Sequence, residues 1–137
     1  MGNIVKTIKQ IGLFTKESPV SDADVLCAET ELGVKFADDY REYVMHYGAI
    51  RICGLELTGI TSKEHNDVVS VTEYEKTYNK NISSGMYVIE RMGVDSIVIL
   101  QDSSGNIYIN SPRHETKKIF DSLSEYLIQA SSEFKKD

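Results

Sequence analysis

At 137 residues, with 41% hydrophobic and 26% charged content, the sequence fits one domain over residues 1–137 and excludes a disordered or fibrous chain. Two cysteines, Cys27 and Cys53, are too few for a disulfide framework. No apolar run approaches the roughly 18–20 residues of a membrane helix, so a cytoplasmic protein with free thiols is expected. The net charge of −6 is uneven: residues 22–75 hold twelve acidic residues against Lys35, Arg41, Arg51 and Lys63, a local −8. Such acidity repels phosphate backbones, which disfavours direct nucleic-acid binding, and attracts basic partners.

The first 14 residues lack the continuous apolar core of a secretion signal. Met1-Gly2-Asn3 resembles a myristoylation start, but Lys6 stands where that motif wants Ser or Thr. Ile4, Ile8 and Ile11 lie at helical spacing, and Ser18-Pro19 then breaks the chain. Ser21 and Asp24 form a capping box for a second helix, with Val20 and Val25 as its hydrophobic staple. Val25, Ala28 and Leu32 share one face, and Gly33 supplies a left-handed stop. Tyr40, Tyr43, Val44 and Tyr47 fall at i, i+3, i+4 and i+7, one buried stripe of a third helix. Asp38 or Asp39 serves its amino end, and Gly48 closes it. Such a tyrosine stripe reads as core, with hydroxyls finding partners at its rim.

From Ile50 the pattern shortens. Residues 50–53 and 55–60 are strand-like runs divided by Gly54, and residues 61–67 read as a loop. Ser70 and Glu73 make a capping box for a helix carrying Val71, Tyr74 and Tyr78. Residues 86–90, 97–100 and 107–109 are short strands with hairpin chemistry between them, and Ile119-Phe120 adds an edge strand. Ser122 and Glu125 cap a last helix whose Leu123, Leu127, Ala130 and Phe134 face the core. The order predicts an α+β fold: a central antiparallel sheet of about five to six strands ending in a meander, with helices mainly on one face. The other face is left to solvent or a partner.

Catalytic motifs are not evident. His46, His65 and His114 show no i, i+4 pair and, with the cysteines, no zinc spacing. Glycines scatter without a phosphate-binding loop, and no nucleophile elbow occurs. A Cys53–His65 pair has no local support, and capping explains Asp38 and Asp39 more simply than acid–base chemistry. No metal, cofactor or enzymatic activity is expected.

Glu31-Leu32-Gly33, Phe36, Asp39-Tyr40, Tyr47-Gly48 and Gly54, read together, resemble the SUKH superfamily. Its pattern is Glu-x-x-Leu-Gly-x-x-Leu-Pro-x-Asp-Tyr followed by Asn-Gly-Gly. Here Phe36 stands for the second leucine, Ala37 for the proline and Tyr47-Gly48-Ala49 for the final triplet. Losing a proline at the first helical position costs pre-organisation, not a hydrogen bond. The order of elements extends the resemblance along nearly the whole chain, and its specific part spans residues 29–48. These motif residues read as fold determinants, and a scaffold does not fix function.

The resemblance implies a bacterial immunity protein that neutralises a cognate protein toxin, frequently a nuclease, by direct occlusion. It also leaves open a non-catalytic adaptor, like the yeast cell-wall regulator of that superfamily. A nuclease groove must hold phosphates and is electropositive, so a basic toxin suits the acidic segment. The expected contacts are Glu56, Glu64, Asp67, Glu73 and Glu75. No nucleic-acid or membrane partner is expected, and the sequence leaves the oligomeric state open.

Overall fold

In the computed structural model residues 3–136 are described, with side chains from 4 to 133. Met1 and Gly2 of the possible acylation start, and the Phe134 side chain, lie outside the described residues. The isoleucine spacing forms α1 (Asn3–Ile11), which buries Ile4 and Ile8. In α2 (Asp22–Leu32) the Ser21 hydroxyl accepts the Asp24 N–H at 3.2 Å, and the Asp24 carboxylate accepts the Ser21 N–H at 3.1 Å. A cap of this kind is worth about 1 kcal/mol. Gly33 ends the helix at φ 68°, the left-handed region its missing side chain allows.

The tyrosine stripe builds α3 (Asp38–Tyr47) and the centre of the core, with Tyr40, Tyr43, Val44 and Tyr47 all buried. Phe36, Tyr40 and Tyr87 pack at centroid distances of 4.8–5.1 Å, two of the three pairs edge to face. The Tyr40 and Tyr43 hydroxyls sit inside, not at a rim. Tyr43 Oη donates to Thr58 O at 2.7 Å and accepts the Ile50 N–H at 3.0 Å. Thr58 Oγ1 spends its proton on Val88 O, so Tyr40 Oη is the donor in its 2.9 Å bond to Thr58 Oγ1. Burial raises the Tyr40, Tyr43 and Tyr87 phenols well above their usual range and keeps them protonated.

The strands divide into two antiparallel sheets of three and four strands, all joined to the same α+β core. In the first, β1 (Phe14–Lys16) pairs with β2 (Ile50–Ile52), and β2 with β3 (Leu55–Glu56). The β2–β3 turn is Cys53-Gly54 at φ 48° and 77°, two left-handed residues whose twist suits a two-residue hairpin. The run expected as one strand over 55–60 stops at Glu56. Leu57 N–H still donates to Ile50 O at 3.1 Å, whereas Thr58 N–H donates to Ile89 O at 2.9 Å. The chain therefore crosses from one sheet to the other between these residues.

The second sheet is the expected meander, β4 (Tyr87–Arg91), β5 (Val98–Gln101), β6 (Ile107–Ser111) and β7 (His114–Phe120). Edge strand β7 is longer than its apolar pair at 119–120 foretold. Exposed Lys117 and Lys118 and two register shifts discourage edge-to-edge pairing there. One face, with Tyr87, Ile89, Ile99 and Ile107, joins the core of α1, α2, α3 and α5. The opposite face is closed rather than open over β4 and β5: Val71 and Ile82 pack on Val88, Val98 and Leu100.

That cover is α4 (Val68–Tyr78), capped by Asp67 through the Ser70 N–H at 3.3 Å, not by the Ser70–Glu73 box. Both sites carry good capping residues; the one a turn earlier wins because Val68 is buried in the main core. Val68, Val71 and Thr72 face inward, while Tyr74 and Tyr78 point outward. The last helix, α5 (Leu123–Lys136), buries Leu123, Tyr126 and Leu127. At its start the Ser122 hydroxyl accepts the Glu125 N–H at 3.2 Å.

Candidate functional site

The motif residues 29–48 serve the scaffold. Leu32, Phe36, Tyr40 and Tyr47 lie in or against the core. Asp39 does not cap its own helix, where Ala37 stands without a side-chain cap. Its carboxylate accepts the Leu123 N–H of α5 at 2.9 Å and the Gln101 amide at 2.9 Å. Gln101 in turn accepts the Tyr87 hydroxyl at 2.7 Å, and that hydroxyl accepts the Ala37 N–H at 2.9 Å. Glu29 rather than Glu31 braces the α2–α3 connection, accepting the Phe36 N–H at 2.8 Å and Arg41 at 3.0 Å. Glu31 is exposed. Gly48 packs so that a Cβ would fall 2.3 Å from Ser18 O.

A charged array runs from the small sheet to α4. Arg51 bonds Glu56 at 2.6 Å, and His65 Nε2 lies 3.7 Å from the same carboxylate. Arg91 donates to the His65 carbonyl at 2.9 Å and pairs with Glu75 at 3.6 Å. The Arg51 hydrogen bond holds the Glu56 carboxyl below the usual carboxylate range. Beside this array the outer face of the small sheet and the 3₁₀ turn Glu64–Asn66 enclose a groove of about 460 Å³. Lys16, Arg51, Lys63 and His65 line it together with Glu17 and Glu56. Lys63 and Glu17 pair at 2.8 Å, so the groove is nearly balanced in charge.

Of the five expected contacts, Glu56 and Glu75 are thus ion-paired across elements, and Asp67 caps α4. Glu64 and Glu73 are exposed and form no salt bridge among the described residues. The same holds for Asp22, Glu31 and Asp38 on α2 and α3. On α4, two of the residues that mark the helix in sequence lie open: Tyr74 and Tyr78 are 56% and 71% exposed. Their rings pack against each other at 4.8 Å. Spacing alone places both on one side of a helix without showing whether anything covers that side.

Reactive groups are dispersed. Cys53 occupies the β2–β3 turn, while the described His65 contacts run to Glu56 and, through its carbonyl, Arg91. His46 Nδ1 contacts Glu42 O at 3.1 Å, and His114 Nδ1 contacts Ser111 Oγ at 2.8 Å within its own hairpin. Among the described residues no three His, Cys, Asp or Glu side chains cluster as metal ligands.

One buried carboxyl stands apart. Glu90 is 6% exposed and accepts the Tyr126 hydroxyl. Burial raises its pKa above the usual range and the nearby Glu56 charge adds to this, against hydrogen bonds from Tyr126 and the Glu56 N–H. An acid with a raised folded-state pKa gives stability that is full below its unfolded value and lost as pH rises through the folded one. Glu90→Gln keeps the acceptor for Tyr126 and removes that loss. Its stability relative to the parent is therefore expected to rise as pH climbs from about 4, the unfolded carboxylate value, towards neutrality. Urea denaturation across that range checks this; a constant difference would show that Glu90 does not titrate there.

These elements define a small α+β scaffold whose buried polar groups are spent on folding and whose unbalanced carboxylates face outward. A family model described as SMI1-KNR4 cell-wall, in the SUKH group, matches residues 1–132, and the chain belongs to that family. Membership supports a protein-binding role in general, of the toxin-immunity or cell-wall-regulator kind. Comparison with curated proteins gave no match. No helix among the described residues is long and apolar enough to cross a membrane.

Proposed function

We propose that residues 1–137 act as one non-catalytic, cytoplasmic immunity domain that binds the effector domain of a basic protein toxin and blocks it sterically. The observation that carries this reading is a group of exposed carboxylates within the acidic segment 22–75 that form no salt bridge among the described residues: Asp22, Glu31, Asp38, Glu64 and Glu73. Like charges left without cations on one chain repel one another, whereas a basic groove recovers their Coulomb energy on contact and speeds encounter.

Co-expression with a toxin domain encoded beside this gene should restore growth and yield a complex that survives purification. Binding should weaken as salt rises, because exposed charge pairs are screened over about 8–10 Å at physiological ionic strength. A neighbouring toxin that remains lethal and unbound contradicts the proposal. The cell-wall description of the matched family favours a second reading, an adaptor that holds an endogenous protein. An adaptor carries no requirement for an adjacent toxin gene.

A further inference from the structure

We propose that the flank of α4 bearing Tyr74 and Tyr78 is a docking surface that receives arginine side chains of a basic partner protein. The proposal deepens the immunity reading and rests on it for the partner's identity. The two rings are four residues apart on one helix, which brings them to the same side. They are 56% and 71% exposed, whereas Tyr40, Tyr43 and Tyr87 of the same chain are sealed in the core. Their centroids lie 4.8 Å apart at a tilt of 53°, so each ring limits the other's rotamers. Little further ordering is needed when a partner arrives, and pre-organisation of this sort favours affinity.

The charges around the pair select the partner's chemistry. Glu73 is exposed beside Tyr74 and forms no salt bridge among the described residues. Lys76 is held by Ser84 O at 3.1 Å, and Glu75 is engaged by Arg91. Lys80, exposed past the end of the helix, is the nearest competing cation in sequence. Exposed ring faces with an unpaired carboxylate one residue away on the same helix suit a planar guanidinium, which stacks on aromatics and hydrogen-bonds carboxylates. Exposed aromatics also head the residue types that dominate interface energetics.

The test uses full-length protein with isotope-labelled tyrosine rings and two probes, an eight-residue arginine peptide and its lysine counterpart. The Tyr74 and Tyr78 ring signals should shift first, with arginine binding roughly threefold or more tighter than lysine. Equal affinity for both peptides, or shifts confined to other tyrosines, overturns the proposal. Against a neighbour-encoded toxin domain, the double variant Tyr74→Ala/Tyr78→Ala should lose about thirtyfold or more in affinity. Its melting temperature should be unchanged, since both rings are exposed. If the toxin binds wild type and the double variant equally, this surface is refuted while the immunity reading stands. If the toxin does not bind at all but the arginine peptide shifts these rings selectively, the surface stands and the immunity reading fails. Self-association that disappears in the double variant overturns the choice of partner.

Discussion

Replacing Gly59 with alanine is expected to cost more than about 4 kcal/mol of folding stability, enough to unfold a domain of ordinary marginal stability. A Cβ at this position would stand 1.8 Å from the Gly48 carbonyl oxygen and 2.8 Å from Ala49 Cβ. The obstacle is backbone, and that backbone is pinned. Gly48 O accepts the Ile60 N–H at 3.0 Å, Gly59 N–H donates to Asn66 O at 3.0 Å, and Val68 N–H donates to Gly59 O at 2.7 Å. Relieving the clash would therefore pull the Gly48 turn, the 3₁₀ turn and the start of α4 apart together. Two control sites separate this packing from general effects of glycine replacement. Gly93→Ala meets open space but sits at φ 77°, so it should cost only about 1–2 kcal/mol. Gly85→Ala meets open space without positive φ and should be nearly neutral. Urea denaturation of the three variants decides the matter; a Gly59→Ala melt like that of Gly85→Ala would refute the close approach.

Asp39→Ala is the second large effect, expected at about 2–4 kcal/mol. The substitution strands two donors, the Leu123 N–H and the Gln101 amide, in a partly buried site. An unsatisfied buried donor costs about 1–3 kcal/mol, more than the net value of the bond it has lost. The loss also loosens the join between α3, β5 and α5, so the amide of Leu123 should exchange faster with solvent. Asp38→Ala, one residue earlier and exposed, should change stability by less than about 0.5 kcal/mol. If the two variants are equal in stability, Asp39 is not the link assigned to it.

Asp39 also marks where sequence reading stops. Its type and place announce a helix amino end, and a capping residue it is. The helix it serves begins 84 residues later, a separation no local pattern encodes. Ser21, Asp24 and Gly33 were legible because capping boxes and left-handed stops are complete within a few residues. The tyrosine stripe of α3 was legible for the same reason. Strand β1 was not, since Phe14 is its one apolar residue and its pairing with β2 spans some thirty-five positions. The crossing at Leu57 and Thr58 was hidden because no turn residue marks it, and Gly59 was lost inside an apolar run.

The charged surface was legible as composition and not as geometry. Counting located the acidic segment, but the salt bridges that engage Glu56 and Glu75 come from β2 and β4 and depend on tertiary placement. Glu64 and Glu73 differ from them in being exposed and in forming no salt bridge among the described residues. Spacing placed Val71, Tyr74 and Tyr78 on one helix without telling which side is covered; Val68, Val71 and Thr72 fill the inner face of α4.

The most direct measurement is the dissociation constant of the complex with the neighbour-encoded toxin domain, taken by calorimetry. It should compare wild type with a variant carrying Asp22→Asn, Glu31→Gln, Asp38→Asn, Glu64→Gln and Glu73→Gln. Exposed charge pairs contribute about 0.2–1 kcal/mol each, so affinity should fall by roughly tenfold or more, with only a small loss of thermal stability from Asp22 and Asp38 in the first turns of α2 and α3. The salt dependence of binding should flatten in the variant. Equal affinities with equal salt dependence would contradict a surface that works through its unbalanced carboxylates.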